Sequence, residues 1–133
     1  MKIEHIGIAV KDIKLSNDLF KSLLGRSHYK IEEVGSEGVL TSFFKAGESK
    51  VELVQSTKEG SAIDKFINKK GEGIHHIAFE VEDIRFEMER LKAEGFQLLN
   101  DQPKKGADDK LVCFIHPKTA NGVLVELCQS IKK

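Results

Sequence analysis

At 133 residues the chain is long enough to bury a core and short for more than one domain. Its 21 basic residues balance 21 acidic ones, which excludes a global field drawing it to nucleic acid or an anionic membrane. No apolar run approaches the roughly 20 residues that span a bilayer, and Glu4 and His5 interrupt the stretch where an export signal needs apolar residues.

In chain order, IEHIGIAV opens as a strand. The run SNDLFKSLLG reads as a helix, with Ser16 as its N-cap and Gly25 as its stop. HYKIEEV, GVLTSFFKAG and SKVELVQS follow as three strands divided by turn residues. SAIDKFINKKGEG then forms a Ser-capped helical link, over about residues 61–72. A second strand-opened set comes next: IHHIAFEV, then a helix from Ile84 to Glu94 with Ile84, Met88 and Leu91 at helical spacing and Gly95 as its stop. FQLLND, LVCFIHP and GVLVELCQ complete the set as three strands. Cys113 and Cys128 lie in apolar runs without a CxxC spacing, which implies buried, reduced thiols in a cytoplasmic protein.

The two sets are one pattern written twice. HIGIAVKDI at 5–13 and HIAFEVEDI at 76–84 share five of nine positions, and KVELVQS at 50–56 shares five of seven with LVELCQS at 124–130. Such self-similarity is the first signal of fold. It predicts an α+β domain, 1–133, of two tandem βαβββ modules, about 1–57 and 73–130. Paired by pseudo-twofold symmetry, the modules form a curved mixed sheet around a cleft.

Each module offers a histidine on its first strand, His5 or His76, and a glutamate inside its last, Glu52 or Glu126. Both glutamates stand between apolar neighbours that alternate to the opposite face. A carboxylate held mid-sheet must be paired or must bind a cation. The pattern leaves two readings open: hydrogen-bonded structural residues, or two imidazoles and two carboxylates holding Zn²⁺, Ni²⁺, Co²⁺ or Mn²⁺ with positions left for water or substrate. His75 alternates to the other face, and His28 and His116 have no partner in the repeat, so these three read as structural or surface residues.

The segments GEGIHHIAFEV (71–81), FIHPK (114–118) and GVLVELCQ (122–129), with HIGIAV near the start, resemble the vicinal oxygen chelate superfamily, and within it the methylmalonyl-CoA epimerase family. The resemblance runs over essentially the whole chain and includes the SAIDKFI link. It implies one divalent metal held by His5, His76 and Glu126, with Glu52 at a fourth position where some epimerases carry Gln. It implies a CoA thioester as substrate, a homodimer, and Lys118 of the HPK motif at the substrate, with Lys104 and Lys105 as further basic candidates. Some relatives place a catalytic Glu three residues after the Gly of the GV segment; here that position is Thr41, which cannot act as a carboxylate base. The implied reaction is removal of the C2 proton and its return to the opposite face. Glu126 and Glu52 are then the candidate bases. Three rivals share the fold: a glyoxalase I type lyase, which suits an H/E/H/E ligand set equally well; a metal-free binding protein; and a dioxygenase.

Overall fold

In a computed structural model, residues 1–131 are described, and they divide into two compact units. The first spans His5–His75; the second joins Met1–Glu4 to the residues from His76 onward. The elements are β1 (Lys2–Ala9), α1 (Ile13–Leu24), β2 (Lys30–Val34), β3 (Val39–Ala46), β4 (Ser49–Ser56), α2 (Ala62–Lys70), β5 (Gly73–Glu80), α3 (Ile84–Ala93), β6 (Lys104–Gly106), β7 (Lys110–Ile115) and β8 (Val125–Ser130).

In the first unit the strands lie in the order β2-β3-β4-β1. β1 runs parallel to β4, and the other two pairings are antiparallel. Ile8, Val10, Leu40, Phe44, Val51 and Leu53 share one face of this sheet and pack against Ile13, Phe20 and Leu24 of α1. The opposite face carries Ala9, Val39 and Val54, covered by Ile63, Phe66 and Ile67 of α2. Burying side chains of this size stabilises by about 1.5–3 kcal/mol each.

The second unit repeats the plan as β5-β8-β7-β6, with β5 parallel to β8 and the rest antiparallel. Ile84, Met88 and Leu91 of α3 pack on Val81, Cys113, Ile115 and Leu127. Both cysteines are buried free thiols, and burial pushes each above its ordinary pKa.

Three expectations need correction. The first helix starts at Ile13, not after Ser16: Asp12 caps it, its side chain accepting from the N–H groups of Lys14 and Leu15. The Ser16 N–H already donates to the Asp12 carbonyl, so Ser16 lies inside the first turn. FQLLND is not a strand. Only Leu98 bridges to Ile115, and the Asn100 side chain accepts from the Phe114 N–H where a backbone carbonyl would stand in a ladder. The strand on that edge is β6, three residues long. Finally, β7 stops at Ile115, because His116 and Pro117 open a short 3₁₀ turn, Pro117–Thr119, with the His116 imidazole accepting from the Lys118 N–H. Two boundaries follow expectation: Gly25, at φ 77°, ends α1, and Ser61 caps α2; the strands expected in HYKIEEV and GVLVELCQ start later, at Lys30 and Val125.

Among the described residues, no helix is long and apolar enough to cross a membrane.

Candidate metal and active site

Strand alternation and register fix which side chains share a face. In the first unit Gly7 lies beside Glu52, and Glu52 beside Phe43; the next row is Ala9, Val54 and Thr41. His5, two residues before Gly7, faces the same way, and its Nδ1 lies 3.0 Å from Glu52 Oε2. Both residues are buried, at 4% and 5% exposure. The second unit builds the same arrangement: Ala78 beside Glu126, Glu126 beside Phe114. His76 Nε2 lies 3.4 Å from Glu126 Oε1, and these residues are 8% and 6% exposed. An imidazole and a carboxylate withdrawn from water at hydrogen-bond range satisfy each other, which is why the sheet tolerates them.

The pairs also fit a divalent ion by chemistry. Each presents one nitrogen and one oxygen donor, buried and convergent, the donor types that Zn²⁺, Ni²⁺, Co²⁺ and Mn²⁺ accept.

Thr41 is buried on the Glu52 face, with Glu32 directly opposite it on β2, so a hydroxyl stands there and no carboxylate. Glu32 itself pairs with Lys30 at 3.4 Å. Lys118 is exposed on the 3₁₀ turn after β7, and Lys105 sits on β6 beside Leu111. The three remaining histidines have local partners. His75 meets Phe66 edge-on at 4.9 Å, His28 meets Phe44 at 5.8 Å, and His116 caps its turn. Burial holds His75 below its ordinary pKa.

Several residues near the pairs escape a reading of the sequence. Gln55 Oε1 accepts from the Ile13 N–H at 2.7 Å, and Gln129 Oε1 from the Ile84 N–H at 2.8 Å. The shared Gln of the repeat thus ties the last strand of each set to the start of its helix, and its recurrence was the available signal. Phe43 and Phe114 carry a lysine over their rings, Lys30 at 5.0 Å and Lys104 at 5.7 Å from the centroids. Glu4, 5% exposed, lies 3.9 Å from Lys110 Nζ, which is also 3.8 Å from Glu80 and 2.8 Å from the Ser130 hydroxyl.

Residues 4–114 match the Glyoxalase/Bleomycin resistance protein/Dioxygenase superfamily, and the chain belongs to it. An ethylmalonyl-CoA/methylmalonyl-CoA epimerase of Cereibacter sphaeroides is 39% identical over 130 residues, covering 96% of this chain and 97% of that one. Among solved structures, a hypothetical protein of Bacillus halodurans C-125 superposes with a TM-score of 0.95 at 42% identity, covering 99% of this chain and 96% of that one. A single-substitution variant of the Streptomyces coelicolor methylmalonyl-CoA epimerase, in complex with 2-nitronate-propionyl-CoA, superposes with a TM-score of 0.94 at 33% identity, covering 98% and 94%. Within the superfamily the chain is a member of the methylmalonyl-CoA epimerase group, and it is an enzyme.

Proposed function

We propose that the protein epimerises methylmalonyl-CoA at C2 with a divalent metal held by His5, Glu52, His76 and Glu126. The observation that carries this reading is the recurrence of one buried His–Glu pair, at 3.0 and 3.4 Å, on matching strands of both units. Relatives named as epimerases of this substrate support the choice of reaction.

When bound, the ion supplies a fixed positive charge beside the thioester oxygen, where negative charge develops as the C2 proton leaves. The remaining work falls to side chains of this chain. Glu126 and Glu52 are the two bases: one carboxylate takes the C2 proton, and the other returns a proton to the opposite face. Thr41 has no basic group to offer in place of either. His5 and His76 hold these carboxylates in place from 3.0 and 3.4 Å. Phe43 and Phe114, beside the two glutamates, keep water away from the reacting carbon. Lys118, exposed on its turn, is assigned to the CoA moiety. The reading takes the metal from among Co²⁺, Ni²⁺, Zn²⁺ and Mn²⁺, with cobalt the first to test. It includes a homodimer and a cytoplasmic setting; the free, buried thiols suit a reducing compartment.

The test is proton NMR of methylmalonyl-CoA in D₂O with cobalt-loaded protein. The C2 proton signal disappears with wild type and persists with His76→Ala. Persistence with wild-type protein shown to hold cobalt would overturn the reading, and the hemithioacetal of methylglyoxal, the substrate of a glyoxalase I type lyase, would be tried next.

A further inference from the structure

α1 closes its sheet with Ile13, Phe20 and Leu24, yet it turns three more leucines outward. Leu15, Leu19 and Leu23 are 69%, 65% and 70% exposed. Spaced by four residues, they lie on one stripe of the helix. Leucines exposed singly are ordinary, whereas a contiguous apolar stripe marks a contact surface. The duplication supplies an internal control. At the repeat offset of 71 residues α3 is the counterpart of α1, and Phe86, Arg90 and Glu94 stand at the positions of the three leucines. Arg90 there pairs with Glu87 of its own helix at 2.9 Å. A charged outer face therefore suits a helix at this place in the fold, and the leucines of α1 answer a need outside their own sheet.

The residues around the stripe identify what covers it. Outward from Leu19 in both directions, Ser16 and Ser22, then Leu15 and Leu23, then Asp12 and Arg26 stand at matching distances. This is the self-complementary pattern that a twofold axis requires. With two copies antiparallel about Leu19, Leu15 of one copy meets Leu23 of the other, and the small serines flanking the stripe let the helices approach. Asp12 of one copy then faces Arg26 of the other, and the symmetry makes this contact twice. Both groups are available for it. Asp12 Oδ1 accepts the two cap hydrogen bonds, which leaves Oδ2 for the guanidinium. Arg26 has no ion pair among the described residues. A parallel pairing would instead set Asp12 against Asp12, Arg26 against Arg26 and like ends of two helix dipoles together. Docking through α1 also leaves the candidate site open. The helix packs on the sheet face of Ile8, Phe44 and Leu53, and Glu52 alternates to the other face.

We propose that α1 is a homodimer interface in which Leu15, Leu19 and Leu23 of two copies pack antiparallel about a twofold axis at Leu19. This gives a surface to the homodimer included in the epimerase reading and rests on that part of it alone.

The test is sedimentation equilibrium of the full chain over the micromolar range, as wild type and as Leu19→Asp. Wild type is expected to be a dimer. Leu19 sits on the axis and counts twice, so a charge there is expected to weaken association at least about 100-fold. The far-UV circular dichroism should stay as in wild type, because Leu19 is exposed in the single chain. Introduced cysteines read the orientation, since Cys113 and Cys128 are buried. Under a mild added oxidant Leu19→Cys should link to itself. Leu15→Cys should link only when mixed with Leu23→Cys, because two copies of position 15 are about 12 Å apart along the axis, beyond the span of a disulfide. A wild-type dimer that Leu19→Asp leaves intact would overturn the inference, with the homodimer and the epimerase reading standing. Self-linking of Leu15→Cys in preference to Leu19→Cys would overturn the antiparallel packing and the inference with it. Wild type that is monomeric throughout would overturn the inference and the homodimer together, and the proton-exchange test of the epimerase reading would be untouched.

Discussion

The two units carry the same four-residue arrangement and differ beyond it. Both place a buried His beside a Glu, a Phe beside the Glu, and a Lys over the Phe. Over the next two rows of the same face they part. The first unit has Ala9 and Val54 beside Thr41, then Val39, and Ile63, Phe66 and Ile67 of α2 cover the apolar three. At the matching positions the second unit has Glu80, Cys128 and Lys110, with Ser130 and Glu4 closing a polar cluster. Duplication therefore preserved the residues assigned to chemistry, while the surrounding face was free to be apolar in one copy and ionic in the other. What is common to both units is the better guide to function; what differs is a guide to how each sheet is stabilised.

That comparison can be broken first at the shared residues. Glu126→Gln removes the proposed base and proposed ligand together and is expected to lower kcat by about 10³-fold, since positioned general bases contribute roughly 10²–10⁴. A steady-state assay of epimerisation reads this directly, and near-wild-type turnover would remove Glu126 from the mechanism.

The differing rows come next. Lys110→Met leaves Glu4 buried without the Lys110 cation and is expected to destabilise the fold by about 3 kcal/mol. Ile63→Ala opens the apolar seal of the first unit and is expected to cost about 2–4 kcal/mol, at 3% exposure in the native chain. Urea denaturation measures both, and a cost below about 0.5 kcal/mol for either would show that its row is not what holds that face closed. Smaller effects test the helix starts: Asp12→Ala and Asp83→Ala should each cost about 1 kcal/mol, because each carboxylate accepts from the N–H three residues on.

The smallest effect is one of pH. Burial against Phe66 holds the His75 imidazole below its ordinary pKa of 6.5, so folding favours the neutral ring. The unfolded chain binds the proton more readily. This contribution is complete above 6.5 and is lost as pH falls from there toward the lower folded value. His75→Phe should flatten that part of the stability profile between about pH 7.5 and about pH 5, measured by thermal melts; an unchanged slope would assign it to other groups.

Much of this was legible in the sequence because strand alternation and repetition are local signals. The two HI…V.DI and VEL.QS segments gave the βαβββ plan and the His–Glu pairs without any long-range information. Where the reading went astray, side chains replaced backbone partners: FQLLND reads as a strand, but the Asn100 side chain stands where a ladder carbonyl would, and Asp12, one turn ahead of Ser16, took the cap. The lysines over Phe43 and Phe114 were beyond reach, since they depend on which residues of β2 and β6 align with β3 and β7. Register across strands is fixed by pairing and turn geometry, and single runs of residues do not display it.

Everything proposed for the chemistry turns on the repeated glutamates being two bases at work on opposite faces of one carbon. Glu52→Gln in D₂O separates the faces: the variant is loaded with metal and supplied in turn with each C2 epimer of methylmalonyl-CoA, and the C2 proton is followed by NMR. One epimer should lose its C2 proton at a rate near that of wild type, while exchange of the other falls by at least about 10²-fold. Exchange of both epimers at wild-type rates would refute the two-base mechanism and leave Glu52 a ligand only.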